Sequence, residues 1–165
     1  MFKLGKLTDY ATVVMTVLAA EPARLQSAQE LARRTHVGVP TVSKVLKRMA
    51  AAGLVESLRG ARGGYRLARA PERISMADVI GAMDGPVALT ECASRGGCCG
   101  IAPHCVVRGN WRVISAAVRG ALEAVSLAQM TTPLRRRHPG ESRSPGPLHA
   151  LEQALDSTLR RNGGA

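Results

Sequence analysis

The sequence is poor in aromatic residues. Its 165 residues include one Trp, two Tyr and one Phe, so aromatic side chains make up only 2% of the chain. The apolar fraction of 45% is nevertheless normal for a globular protein. The core must therefore be built from Ala, Val, Leu, Ile and Met, which favours closely packed helices.

Long apolar runs are also missing. No stretch is long and apolar enough to span a membrane, and residues 1–8 lack the apolar run and cleavage site of a secretory signal. We therefore expect no membrane association and a cytoplasmic location, where thiols stay reduced. In that compartment a group of cysteines favours a metal centre or a redox switch over structural disulfides.

Acidic residues are too few to balance the basic ones, and the formal net charge is +11. Residues 1–70 carry twelve Lys and Arg against four Asp and Glu, whereas residues 71–133 carry five of each. A localised basic segment is typical of a protein that binds a polyanion such as DNA. The alternative is an arginine-rich face that is merely solvated.

Apolar periodicity and turn residues predict a winged helix-turn-helix DNA-binding domain in residues 1–84. The expected elements are helices at 8–20, 27–34 and 40–52, strands at 54–58 and 64–67, and a short helix at 75–83. The second helix starts at a capping box, Ser27-Ala-Gln-Glu30. The predicted fold class is mainly α with a small β-hairpin, followed by a long dimerisation helix.

The dimerisation helix is expected within residues 107–131, with helical structure from Val107 to about Leu127. Apolar residues recur there in steps of three and four, at Trp111, Ile114, Val118, Leu122 and Val125. A stripe of this length needs a partner surface, and a second copy of the chain is the simplest one. The alternative is packing on its own domain.

Residues 132–165 are predicted to be a flexible basic tail, in which leucines at 148–159 could form a short helix.

Candidate DNA contacts follow from the predicted fold, since the second helix of the motif enters the major groove. The polar residues on that helix, opposite its apolar stripe, are Thr41, Ser43, Lys44, Lys47 and Arg48. The first three lie where bases are read, whereas Lys47 and Arg48 are placed to meet phosphates. In the hairpin loop, Arg59 and Arg62 stand among glycines and suit a minor groove.

All four cysteines fall in the expected cysteine loop, residues 85–106, at Cys92, Cys98, Cys99 and Cys105. Cys98 and Cys99 are adjacent, so their side chains point apart and are poorly placed to bind the same small centre. Three ligands are therefore expected: Cys92, Cys105 and one of Cys98 and Cys99. Such a set favours an iron–sulfur cluster. The alternatives are structural zinc, which prefers closely spaced cysteine pairs, and a metal-free thiol switch. The sequence shows no nucleophile–base pair, phosphate loop or paired carboxylates that would indicate an enzyme.

Several of these segments together resemble the Rrf2 family of bacterial regulators. They are Lys3–Ala11, Val39–Leu46, Gly53–Val55, the wing Arg59-Gly-Ala-Arg-Gly-Gly-Tyr65, and the three-cysteine loop. Leu89–Cys92 and Cys105–Trp111 look most like the branch that regulates the SUF iron–sulfur assembly operon. The resemblance covers about residues 1–131, and the tail beyond has no counterpart.

The resemblance implies a homodimer that binds a pseudo-palindromic double-stranded DNA operator, usually as a repressor. It also implies a [2Fe–2S] or [4Fe–4S] cluster on three cysteines. IscR-type members place a His three residues after the third cysteine, where this chain has Arg108. NsrR-type members use an Asp from the partner's first helix, which corresponds to Asp9. The alternative for Asp9 is a helix cap at a favourable dipole end. A competing hypothesis is a cluster-free repressor that senses a small molecule or a partner.

Overall fold

The computed structural model describes residues 4–60, 63–93, 99–101 and 104–132. These residues form two compact units, the first running to Val87 and including Val125–Thr132, the second lying between Ala88 and Ala124. Among them, no helix combines the length and apolar character that a membrane span requires. The predicted fold class is confirmed, because the described chain is mostly helical with a two-stranded antiparallel hairpin.

Helix α1 (Lys6–Ala20) is the centre of the first unit. Its buried face carries Ala11, Val14, Met15 and Leu18, none of which is exposed to solvent. This face contacts the helices α2 (Ala28–Thr35), α3 (Val39–Ala51), α4 (Met76–Asp84) and α6 (Leu127–Met130). The helix begins two residues before the predicted start at Thr8, with Gly5 at the N-cap.

Thr8 does not start the helix as predicted, but connects α1 to α4. Its side chain is fully buried, and its hydroxyl donates a hydrogen bond of 2.6 Å to the Asp84 carboxylate. Because Asp84 ends α4, this bond ties the first turn of α1 to the last residue of α4.

Helices α2 and α3 form the predicted helix-turn-helix. Ser27 caps α2 by accepting a 3.1 Å hydrogen bond from the Glu30 amide, as the capping-box pattern predicts. The expected apolar stripe of α3 is buried and consists of Val42, Val45, Leu46 and Met49. Between the helices, His36 adopts a left-handed backbone conformation with φ 55°.

The wing is a hairpin of β1 (Val55–Leu58) and β2 (Gly64–Leu67), paired antiparallel with Val55 opposite Leu67. Its outer edge is also paired, because Gln26 and Tyr65 form an isolated antiparallel bridge. This bridge attaches the wing to the segment between α1 and α2. Isolated pairings of this kind leave no period-two pattern in the sequence, so it was not predicted.

The chain returns to the first unit through α6. Ser75 and Ser126 form an antiparallel bridge, flanked by hydrogen bonds from the Met76 amide to the Val125 carbonyl (2.9 Å) and from the Leu127 amide to the Ile74 carbonyl (2.7 Å). Leu127 is completely buried. Both Ser75 and Ser126 begin their helices with a reciprocal capping box.

The second unit contains a short 3₁₀ turn at Glu91–Ala93 and helix α5 (Arg108–Glu123). The sequence-based prediction that this helix continues to Leu127 is wrong, and Val125 lies outside it. The helix ends because the Val125 carbonyl pairs with Met76 and Ser126 caps a new helix. The predicted leucine-containing tail, residues 132–165, lies outside the described residues except for Thr132.

The His36 backbone generates a stability prediction. A left-handed conformation costs a residue with a Cβ about 1–2 kcal/mol, a cost that glycine does not have. We therefore expect His36→Gly to leave the free energy of unfolding unchanged or raise it by up to about 1 kcal/mol. The matched control is Arg33→Gly in α2, which should lower it by about 1 kcal/mol. Urea denaturation of both variants checks the difference, and an equal loss in both would contradict it.

Candidate nucleic-acid interface and cysteine segment

The exposed side of α3 carries most of the predicted DNA contacts. Ser43, Lys44 and Lys47 are exposed and Thr41 is half-buried, whereas the apolar stripe of the same helix faces the core. Within the described chain, neither lysine is paired with a carboxylate. The ammonium groups are therefore available to a polyanion.

Arg48 differs from the lysines on α3. One of its guanidinium nitrogens donates a hydrogen bond of 2.5 Å to the Met83 carbonyl near the end of α4. Such a bond satisfies a carbonyl left open at a helix C-terminus and opposes its negative dipole end. Arg48 thus joins α3 to α4, a role that the sequence did not indicate. Its predicted role is a phosphate contact.

The wing loop presents Arg59 in an exposed position, while Arg62 lies outside the described residues. Two glycines shape the loop. Gly60 has φ +115°, and the Gly63 amide donates a 2.9 Å hydrogen bond to the Gly60 carbonyl. A Cβ on Gly63 would lie 2.3 Å from the Leu58 carbonyl oxygen, so only glycine fits where the strands meet the loop.

The wing is held near its loop by Gln26, which is completely buried and pairs with Tyr65 of β2. Its side-chain oxygen accepts a hydrogen bond from Arg34, and Arg34 also forms a 2.8 Å ion pair with Glu21. Arg24 extends the network by binding Glu21 at 2.8 Å and Glu30 at 2.5 Å. These contacts connect the end of α1, helix α2 and the wing.

The Glu21 carboxylate is the common acceptor of this network. The hydrogen bond from Arg24 lowers the pKa of Glu21, and the positive charges of Arg24 and Arg34 act in the same direction. A lowered carboxyl pKa stabilises the fold above the ordinary pKa, and that contribution is lost as the pH falls through the lowered value. Because the pair is exposed, salt screens it.

The cysteine segment is the predicted cysteine loop at residues 85–106. It contains Cys92, Cys99 and Cys105 as partly exposed free thiols, whereas Cys98 lies outside the described residues. Cys92 belongs to the 3₁₀ turn, with its sulfur 3.3 Å from the Thr90 hydroxyl oxygen. The turn packs against α5. Just before it, the Leu89 amide donates a 3.1 Å hydrogen bond to the Ser115 hydroxyl, the one buried side chain of α5.

The donor set suits an iron–sulfur centre in its chemistry, since thiolates are the usual ligands of such clusters. In the part of the chain that the structure describes, no three His, Cys, Asp or Glu side chains are gathered closely enough to hold a metal ion. Asp9 is exposed in the first turn of α1, where its charge favours the dipole. It is not the helix cap, because Gly5 occupies that position.

Helix α5 exposes part of its predicted apolar stripe. Trp111 is 37% exposed and Ile114 is 44% exposed, whereas Val118 and Leu122 are half-buried. Val107, one turn before Trp111, is also exposed and lies on the same side of the helix. An apolar surface of this kind suits contact with another protein surface.

Two groups in this region were missed by reasoning from sequence. The first is the Gln26–Arg34–Glu21 network, whose members have no regular spacing. The second is Ser115, which lies next to the apolar stripe of α5 and appears there as an ordinary small residue. The burial of this serine is recognisable only when its partner, the Leu89 amide, is in place.

Comparison with known proteins gives consistent matches. Residues 4–133 match the Rrf2 family, described as an iron-dependent transcriptional regulator. The chain is 32% identical over 130 residues to the HTH-type transcriptional regulator IscR of Aliivibrio salmonicida, covering 78% of this chain and 76% of that protein. It is 28% identical over 137 residues to IscR of Escherichia coli O9:H4, covering 79% and 82%.

Solved structures share the fold. CymR (YrzC), the global cysteine regulator of B. subtilis, matches with a TM-score of 0.63 and 26% identity, over 79% of this chain and 97% of that one. T. potens IscR matches in fold with a TM-score of 0.62 at 24% identity, over 87% and 94%.

The shape of the wing loop can be tested with two glycine substitutions. Gly63→Ala places a methyl group against backbone atoms that cannot move without opening the hairpin. We expect it to lower the free energy of unfolding by about 1–3 kcal/mol. Gly81→Ala is the control, since it lies inside α4 and the added Cβ would meet nothing within 4 Å beyond its chain neighbours and the helix's own backbone. It should raise stability by about 0.5–1 kcal/mol. Thermal unfolding measures both, and two changes of the same sign would refute the wing geometry.

Proposed function

The chain belongs to the Rrf2 family of transcriptional regulators, and we propose that it is a homodimeric repressor controlled by an iron–sulfur cluster. Its ligand is a pseudo-palindromic double-stranded DNA operator, and the genes it controls are those of iron–sulfur cluster assembly. The observation that carries this proposal is the presence, in one chain, of a basic winged helix-turn-helix unit and a separate unit with partly exposed thiols.

DNA binding is assigned to α3 and the wing. Thr41, Ser43 and Lys44 lie in the first half of α3, from which a recognition helix reads base edges. Lys47 and Arg48 lie further along and serve the phosphates. Arg59 and Arg62 on the wing are assigned to the minor groove, where the negative potential attracts arginine.

The cluster is assigned to Cys92, Cys105 and one of Cys98 and Cys99, as a [2Fe–2S] or [4Fe–4S] centre. Asp9 of the partner subunit is the candidate for the fourth ligand. When bound, the cluster supplies a redox-active group that oxidants can alter or remove. The polar atoms that hold Cys92 in place are the Thr90 hydroxyl and, through Leu89, the Ser115 hydroxyl.

Control of DNA binding is supported by the connectivity of the two units. The cysteine segment and α5 leave the first unit after Val87 and rejoin it at Val125. The return is fixed by the paired backbone at 74–76 and 125–127. Cluster binding by the cysteine segment therefore acts on a chain that is anchored at both ends. If the cluster binds one conformation of the dimer more tightly than the other, its binding changes operator affinity by at most the difference between those two binding free energies.

A second candidate function is a cluster-free repressor with a thiol switch or a small-molecule or partner sensor. It is favoured by the likeness to CymR, a cysteine regulator.

The cluster is tested by purification without oxygen, followed by iron and sulfide analysis and an absorption spectrum. We expect Cys92→Ala and Cys105→Ala each to abolish iron binding, while one of Cys98→Ala and Cys99→Ala retains it. Operator affinity should differ between the iron-containing and iron-free forms of the unmodified chain. Iron-free protein whose DNA binding responds to disulfide formation would support the second candidate. Equal loss of iron from all four variants would contradict the three-ligand assignment.

The dimer is tested by charging the apolar stripe of α5. Ile114→Glu should raise the dimer dissociation constant by about tenfold or more, because the interface would bury an unpaired charge. It should also weaken binding to a two-half-site operator. Val113→Glu is the matched control, since Val113 has similar exposure (48%) but lies off the apolar stripe, about 100° around α5 from Ile114. Sedimentation equilibrium measures both variants, and equal effects would contradict the assigned interface.

A further inference from the structure

Gln26 lies where the wing meets the helix-turn-helix. Its backbone exchanges two hydrogen bonds with Tyr65, of 3.0 Å and 2.9 Å. The residue before Tyr65, Gly64, is so close that an added Cβ would lie 3.0–3.1 Å from the Gln26 backbone. The start of β2, next to the wing loop, therefore rests directly on Gln26, and the position of Gln26 sets that of the hairpin carrying Arg59.

The side chain of Gln26 is fixed by one neighbour. Its amide oxygen accepts a hydrogen bond from Arg34, in the last turn of α2. Arg34 is itself held by the Glu21 carboxylate at 2.8 Å, and its side chain is 32% exposed. The position of Gln26 relative to α2 is thus defined by a directional bond as well as by packing.

The other half of this amide is unsatisfied. The Gln26 side-chain nitrogen is buried and has no hydrogen-bond partner among the residues described. A buried donor without an acceptor reduces stability, and an apolar side chain of the same length would avoid that cost. Buried polar groups that lower stability are retained in some proteins because they define one arrangement among several packed ones. Here the arrangement defined is the orientation of the wing relative to α2.

We propose that Gln26, held by Arg34, is a positioning residue that aims the wing at the operator at the expense of fold stability. The inference rests on the proposed operator contact by Arg59, and it adds a determinant of DNA affinity that touches no DNA. Without the directional bond, the hairpin would still pack on the same segment but with less defined orientation. The wing arginine would then contribute less to binding.

The test is Gln26→Met in the full-length chain, which keeps the side-chain length and removes both the acceptor oxygen and the donor nitrogen of the amide. The DNA probe is a duplex selected from a random library by the unmodified protein. We expect the midpoint of thermal unfolding to stay unchanged or rise, while affinity for the probe falls about tenfold, the size of a lost arginine contact. A merely structural role for Gln26 predicts instead a lower midpoint together with the lower affinity, and that result would overturn the proposal.

A double-mutant cycle identifies the route of the effect. Arg59→Ala alone should also lower affinity, and Gln26→Met should have little further effect in that background. In a Lys44→Ala background, by contrast, the full effect of Gln26→Met should persist, because Lys44 lies on α3. Equal effects of Gln26→Met in both backgrounds would refute action through the wing.

Arg34 provides an independent pair of variants that leave Gln26 in place. Arg34→Met should reproduce the affinity loss, and Arg34→Lys, which retains a donor, should restore part of it. Unchanged affinity in Arg34→Met would overturn the proposal. If Arg59→Ala and Lys44→Ala both bind the probe as the unmodified protein does, the assigned operator surface itself is wrong, and this inference fails with it.

Discussion

One face of α1, formed by Ala11, Val14, Met15 and Leu18, is completely excluded from solvent. Helices α2, α3, α4 and α6 all contact α1. Burying four such side chains provides several kcal/mol of the hydrophobic free energy on which a small unit depends. Helix α3 and the wing can therefore be held at fixed positions although aromatic residues are scarce. Polar contacts such as Thr8 with Asp84 then define how the helices meet.

The helix-turn-helix and the wing were predictable because each has a local cause in the sequence. Ser27 and Ser75 cap helices through short-range patterns, and the stripe of α3 follows helical periodicity. The observed strands agree with the predicted ones to within one residue. These features depend on neighbours within a few positions, which is the range over which sequence patterns are informative.

The features that were missed depend on contacts between distant residues. The bridge between Gln26 and Tyr65 joins positions 39 apart in the chain. The end of α5 was mispredicted because the apolar stripe continues past Glu123, although Ser126-Leu-Ala-Gln129 has the form of a capping box that begins a new helix. In the candidate interface, Lys44, Lys47 and Arg59 are exposed, as their positions opposite the apolar stripe and in the wing loop predict. The bond from Arg48 to Met83, by contrast, depends on how α3 packs against α4, which no local pattern indicates.

The return of the chain at Val125 has a consequence for how such proteins can diverge. Residues 88–124 form an excursion from the first unit, and the backbone pairs that close it, at 74–76 and 125–127, belong entirely to that unit. The closure of the excursion therefore depends on backbone pairs within the first unit and not on the residues between 88 and 124. The cysteine-bearing unit and the winged helix-turn-helix unit can thus evolve as separately exchangeable cassettes within a single polypeptide.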